Sequence, residues 1–261
     1  MGLALSAIAG SAGLGWLLVW ASTQVHSWLG QAVAAILLAS CLAGRSLRLA
    51  ALEVLEPLEA GDLQAARDRL QRYVGRDTAE LTPPELWRAL LETVAENTTD
   101  GATAPLFYAL LGLGLPCGSV PLALGYKAAS TLDSMVGYRR PPYRELGWCS
   151  ARLEDALTWL PCRLTVLSLA LLSGRPGRVW RWCWRDARQD PSPNSGWSEC
   201  AYAAALGVQL GGTNYYQGQP RAKPLLGEPW QPLGAPVLRR ALGLMRATLL
   251  LWLAIALLLP V

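Results

Sequence analysis

The stretch GLALSAIAGSAGLGWLLVWASTQVHSWLGQAVAAILLASCLAG, residues 2–44, contains no Asp, Glu, Lys or Arg. A helix needs about 20 consecutive apolar residues to cross a bilayer, and this run has room for two. The polar string STQVHS, residues 22–27, divides it. The run therefore predicts two membrane helices, roughly 3–21 and 28–44. A secretory signal would show a basic start, one short apolar core and a small-residue cleavage site instead.

The composition of the whole chain agrees with a membrane setting. Hydrophobic residues make up 52% and charged residues 16%, against roughly 25% charged in soluble domains. There are twelve Trp and one Phe. The net charge of +4 is carried almost wholly by Arg, since Lys occurs only at 127 and 223. That mild balance, with Arg beside apolar runs, argues against nucleic acid and for a membrane surface. The six Cys form no CxxC pair and His26 is the only His, so no structural zinc site is expected. Cys41, Cys117 and Cys162 lie in apolar runs and read as small hydrophobes.

The expected fold is an all-α integral membrane protein: a multi-span helical bundle with broken or re-entrant segments and polar cytoplasmic loops. It reads as a single membrane domain over residues 1–261. Residues 1–44 supply two spans and residues 45–100 membrane-proximal polar helices. Within the latter, Pro57 and Gly61-Asp62 mark a break. Thr82, Pro83, Pro84 and Glu85 have the residues of a capping box. Residues 101–240 form a motif-bearing region. There, 102–125 is apolar but interrupted by Pro105, Pro116, Gly118 and Pro121, a pattern for broken helices. A second apolar run covers 156–174, and 199–213 reads as a small-residue helix suited to close packing. Residues 241–261 supply the last span. Arg45 and Arg48, Arg175 to Arg188, and Arg239-Arg240 place these flanks on the cytoplasmic side by the positive-inside rule, and 22–27 outside.

Four polar blocks stand out. Glu92, Glu96, Asn97 and Asp100 fall within nine residues at the mouth of an apolar run. Glu92 and Glu96 share a helix face and repel unless a cation lies between them. Mg²⁺ takes one or two carboxylates plus phosphate oxygens, so Glu92, Glu96 and Asp100 are its candidates; a solvated helix face is the bland alternative. Lys127 suits a phosphoryl group, or snorkels from an apolar segment. Asp133 lies six residues on. Arg139, Arg140 and Arg144 read first as surface anchors. Asp186, Asn194 and Ser195 lie in a Pro- and Ser-rich loop, where Asn194-Ser195-Gly196 resembles an anion-holding turn. Asn214 lies in GGTNYY, which reads as a glycine helix C-cap. There is no Walker-type GxxxxGK[ST] and no GxGxxG.

Five strings carry a resemblance: ETVAENTTDGATAPLFYALLG (92–112), ALGYKAASTLDSMVGYR (123–139), YRELGWCSARLEDALTWLPCRLT (143–165), WRDARQDPSPNSGW (184–197) and ALGVQLGGTNYYQG (205–218). In that order they closely resemble the adenosylcobinamide-phosphate synthase family of cobalamin biosynthesis, the CbiB/CobD type, over roughly residues 74–227. Members usually open on a GDP…HPV segment, for which this sequence has no counterpart ahead of its first apolar run.

The resemblance implies an integral membrane enzyme, expected as a multi-pass protein of the inner membrane, and the Arg flanks turn its active site towards the cytoplasm. Its substrates would be ATP, adenosylcobyric acid and (R)-1-amino-2-propanol or the O-phosphate, with Mg²⁺ as cofactor. Other corrinoid enzymes or a second copy are the expected protein partners. Within that reaction, residue chemistry makes Glu96, Lys127 and Asp133 the catalytic candidates. Asn97, Arg139, Asp186, Asn194, Ser195 and Asn214 are the substrate- or nucleotide-binding candidates. A non-catalytic transporter, sensor or scaffold is the rival from another class. A transporter would place its acids at mid-membrane depth rather than at segment ends.

Overall fold

The computed structural model describes residues 2–137 and 147–258. The candidate Arg139, with Arg140 and Arg144, lies outside the described residues. Helices α1 (Gly2–Val25), α2 (Ser27–Cys41), α3 (Gly44–Ala60), α4 (Leu63–Leu70) and α5 (Pro83–Thr98) come first. A π-turn at Thr99–Thr103 leads to α6 (Ala104–Leu113) and α7 (Ser119–Val136). Then come α8 (Trp148–Leu172), α9 (Pro176–Asp186) and α10 (Ser195–Leu206), the strands β1 (Gln209–Tyr216) and β2 (Gln219–Gly227), and α11 (Ala235–Leu258). Among the described residues, four stretches are long and apolar enough to cross a membrane: 4–25, 27–60, 148–172 and 235–258. The protein is a multi-span helical membrane protein, as the apolar runs predict.

The chain divides into two compact units. The first comprises Met1–Ala43, Asp100–Pro161 and Trp252–Val261. In it α1 packs on α2 and α7, and α6 packs on α7. The boundary between the first two helices is tighter than the predicted loop. His26 alone leaves the helical conformation, and its Nδ1 accepts the Trp28 N–H that opens α2. The interrupted run at 102–125 does form two helices. Their link turns on Gly112, where a Cβ would lie 2.5 Å from the Gly118 carbonyl oxygen. Hydroxyls are paired here: buried Tyr126 with Thr158, at 2.9 Å, and half-buried Tyr108 donating to the Leu157 carbonyl, at 2.9 Å.

The second unit comprises Gly44–Thr99 and Cys162–Leu251. Its core gathers Val54 and Leu55 of α3, Leu86, Leu90 and Val94 of α5, Trp182 of α9, Tyr202 of α10 and Leu210 and Leu226 of the strands. Gly61, at φ +79°, and the N-cap Asp62 break α3 from α4, while Pro57 is accommodated inside α3. The expected helix over 199–213 stops at Leu206. Gly207 takes the left-handed φ of +71° that ends it, and GGTNYY enters β1. The hairpin is the one β element among the described residues. The six cysteines are free thiols.

Candidate functional site

The polar centre of the second unit is built on α5. Thr82 donates its N–H and its hydroxyl to Glu85 Oε2, at 2.8 and 2.6 Å, closing the predicted capping box. Leu86, Leu90 and Val94 bury one face, yet Glu92 is equally buried on another. A buried carboxylate costs several kcal/mol unless charge and hydrogen bonds compensate it. Glu92 has both: Arg76 Nη2 lies 2.5 Å from Oε2, and the Gly211 N–H donates to Oε1 at 2.9 Å.

The hairpin explains why Gly211 is there. Gln217 and Gly218 both take positive φ, 53° and 73°, the geometry that suits a two-residue β-turn. Their N–H groups donate to Asp77, at 3.0 and 2.7 Å. Farther along, the strand pairing slips between Leu210 and Gly212. Gly211 sits at φ +84°, and a Cβ there would fall 1.9 Å from the Pro224 carbonyl oxygen. Bulges bend strands and re-aim side chains. This one turns the Gly211 N–H onto Glu92, and Lys223, opposite Gly212, meets an acid of α10.

Lys223 Nζ donates to Glu199 Oε1 at 2.8 Å and lies 3.8 Å from Asp190 Oδ2. Glu199 is 1% exposed, and its Oε2 has no partner among the described residues. Glu96, one turn beyond Glu92, differs from both. It is exposed to solvent on one side while protein crowds its others, and it has no described hydrogen bond or ion pair. Four carboxylates, Glu92, Glu96, Asp190 and Glu199, thus share the field of two cations, Arg76 and Lys223.

The imbalance sets the protonation. Burial pushes the Glu199 carboxyl up to about 8; Lys223 pulls it down, while Glu92 and Glu96 add to the rise. Glu96 is raised too, by its crowded surroundings first, with Lys223 and Arg76 opposing. Loss of solvation lowers Lys223, but Glu199 and Asp190 more than offset this and hold its ammonium above the usual range.

The other candidates are placed differently. Asn214, 1% exposed, accepts at Oδ1 from Arg76 and Arg88, each at 3.0 Å. Asn97 donates to the Thr93 carbonyl of its own helix. The Asp186 carboxylate is held by Arg185 at 2.6 and 2.9 Å and accepts the Gly227 N–H at 2.9 Å, so it fastens α9 to β2. Asn194 heads α10 and accepts from Arg163 at 2.8 Å. The amides of Asn194 and Ser195, which an anion would need, donate to Ser192 Oγ at 3.2 and 3.1 Å. Asp100, Lys127 and Asp133 belong to the first unit, the last two on α7. Of the three acids nominated for Mg²⁺, Glu92 and Glu96 belong to the second unit and Asp100 to the first. Glu92 is closed by Arg76 and Gly211, and among the described residues no three His, Cys, Asp or Glu side chains converge as for a metal.

Sequence reasoning misses Arg76, Glu199 and Lys223. The rarity of lysine singles out Lys223 as much as Lys127. The bulge that gives Lys223 its partners, however, leaves no periodic trace. Glu199 carries a fainter signal, as an acid in a run of small residues, ECAYAAAL, with no solvent face to occupy.

Comparison with known proteins places the chain. The family model described as CobD/Cbib protein matches residues 1–245. A Synechocystis relative named cobalamin biosynthesis protein CobD is 57% identical over 96% of this chain and 73% of its own length. A Geobacter metallireducens CobD is 49% identical over 93% of this chain and 76% of its own. A Salmonella typhimurium protein named CbiB is 43% identical over 94% and 76%. No solved structure matches. A match running from the apolar start into α11, through both units, means that the chain belongs to the CobD/Cbib protein family.

Proposed function

We propose that this protein acts in cobalamin biosynthesis as an ATP-dependent amide ligase. It joins the free carboxylate of adenosylcobyric acid to (R)-1-amino-2-propanol or its O-phosphate, giving adenosylcobinamide or adenosylcobinamide phosphate. The observation that carries this reading is the family match over residues 1–245, together with relatives whose names assign them to cobalamin biosynthesis.

Amide formation from a carboxylate and an amine is uphill in water, so the carboxylate is activated first. Its oxygen attacks a phosphorus of ATP, and the bond to the departing nucleotide product breaks. The amine nitrogen, once it has lost a proton, attacks the activated carbonyl carbon. The phosphoryl oxygen then leaves with the C–O bonding pair. The chain must supply a cation for the phosphoryl charge and a base for the ammonium. Lys127 on α7 is the candidate for the first, and it makes no ion pair among the described residues. Glu96 and Asp133 are the candidates for the second. Asp186 and Asn194 hold elements of the second unit in place, so they act as positioning residues.

The donor set fits a protein-held Mg²⁺ poorly, because Arg76 already occupies Glu92 and no acid trio converges among the described residues. An ion arriving with ATP carries most of its coordination on phosphate and water. The Arg-rich segment around α9 and Arg239-Arg240 favour a cytoplasmic active face at the inner membrane. The test is an assay of purified protein with adenosylcobyric acid, ATP, Mg²⁺ and each amine. Amide product is expected with one or both amines; none with either refutes the reading.

A further inference from the structure

We propose that the acid-rich centre of the second unit binds the ammonium group of the amine substrate. Glu96 is the contact residue, and Glu199 and Lys223 are positioning residues behind it. This rests on the amide-forming reading above and adds a substrate subsite to it.

The first support is charge. Arg76 is paired with Glu92, Lys223 lies between Glu199 and Asp190, and Arg88 is taken up by the Gly211 and Thr213 carbonyls and Asn214, so Glu96, one turn beyond Glu92, is left without a cation among the described residues. The shortfall is visible in the geometry as well. Glu199 is buried with Oε1 on Lys223, and its Oε2 meets no donor among the described residues. Buried polar atoms are nearly always partnered, so an orphan of this kind points to a missing proton or ligand.

The second support is access. Arg76 closes Glu92, and Lys223 takes Glu199 and approaches Asp190. Glu96 alone of the four is both open to solvent and unpaired among the described residues. A ligand entering from solvent therefore meets this carboxylate, with the negative field of the others behind it.

The third support is the kind of cation. Mg²⁺ demands near-octahedral oxygen ligands, and no trio of acids converges among the described residues. An alkylammonium carries one charge and three N–H donors and needs no fixed polyhedron. It suits one open carboxylate in an acidic field. Proton transfer follows from the same contact. The R–NH₃⁺ group gives one proton to the Glu96 carboxylate, forming a carboxylic acid and a neutral R–NH₂. The lone pair of that amine is then free to attack the activated carbonyl.

The experiment is calorimetric titration of purified protein in lipid nanodiscs with (R)-1-amino-2-propanol alone, without ATP or corrinoid. 1,2-Propanediol is the control lacking nitrogen, and Mg²⁺ the competing cation. The wild type is expected to bind the amine and not the diol. Glu96→Gln should weaken amine binding by on the order of tenfold or more, as loss of a charge-assisted hydrogen bond does. Glu96→Asp should keep part of it. Lys223→Met should shift the pH dependence of amine binding. Absence of amine binding by the wild type overturns the proposal. So does unchanged binding in a folded Glu96→Gln protein, or Mg²⁺ binding at Glu96 that the amine does not displace. The two readings fail separately. Glu96-dependent amine binding without amide product sinks only the ligase reading. Amide formation with an unaltered amine KM in Glu96→Gln sinks only this one.

Discussion

Arg76→Met separates a structural Glu92 from a metal-binding one. Arg76 Nη2 lies 2.5 Å from Glu92 Oε2, and the two side chains are 10% and 2% exposed. Arg76 Nη1 also donates to Asn214 Oδ1 at 3.0 Å. Methionine keeps the apolar stem and removes the charge, leaving a buried carboxylate with only the Gly211 N–H. Removing one partner of a buried pair costs about 3–5 kcal/mol, because the other charge is stranded. For a chain of this size that corresponds to a fall in apparent Tm of roughly 10 °C. The second half of the test reverses the sign. In the Arg76→Met background, Glu92→Gln should restore much of the loss, since a neutral amide still accepts from Gly211. In the wild-type background the same change should destabilise. The assay is thermal unfolding in nanodiscs for the four proteins of this cycle. If Arg76→Met melts with the wild type while turnover collapses, the pair does not hold the hairpin to α5, and Glu92 returns to the candidates for cation binding.

Three further outcomes are expected. Glu199 is raised to about 8 in the fold, so the protonated form is favoured on folding. Its contribution to stability is complete below the ordinary glutamate range near 4.3 and is lost as pH rises towards 8. Glu199→Gln mimics the protonated acid, so its Tm should fall less than that of the wild type between pH 5 and 8; parallel curves would refute the assignment. Gly211→Ala should destabilise by at least about 1–3 kcal/mol from its φ of +84° alone, and by more from the clash with Pro224. Gly61→Ala, at φ +79° in open space, is the control for the conformational cost, and equal Tm losses would mean that the bulge is not closely packed. In a cysteine-free background, Ser192→Cys should resist an impermeant thiol reagent in intact cells and react after permeabilisation. Labelling in intact cells would reverse the assigned orientation.

What could be read from the sequence follows from the range of the forces involved. The uncharged run at 2–44 forces helices, because in lipid only a closed hydrogen-bond ladder satisfies the backbone. The break at Gly61-Asp62 and the box at Thr82 are local, and both form as written. Where the reading went astray, two local solutions competed. Gly207 and Gly211-Gly212 both look like helix stops. The first is one, and the others form a bulge, which only the partner strand and Glu92 decide. The acids show the same limit more sharply. Glu92 and Glu96 are the same residue type four positions apart, and a single-sequence reading gives them one shared role. Arg76 lies 16 positions upstream of Glu92, and Gly211 lies 119 downstream. Those distant partners close Glu92 and leave Glu96 open. Within this centre the acid reachable from solvent is Glu96, while Glu199 and Lys223 meet because the bulge brings them together.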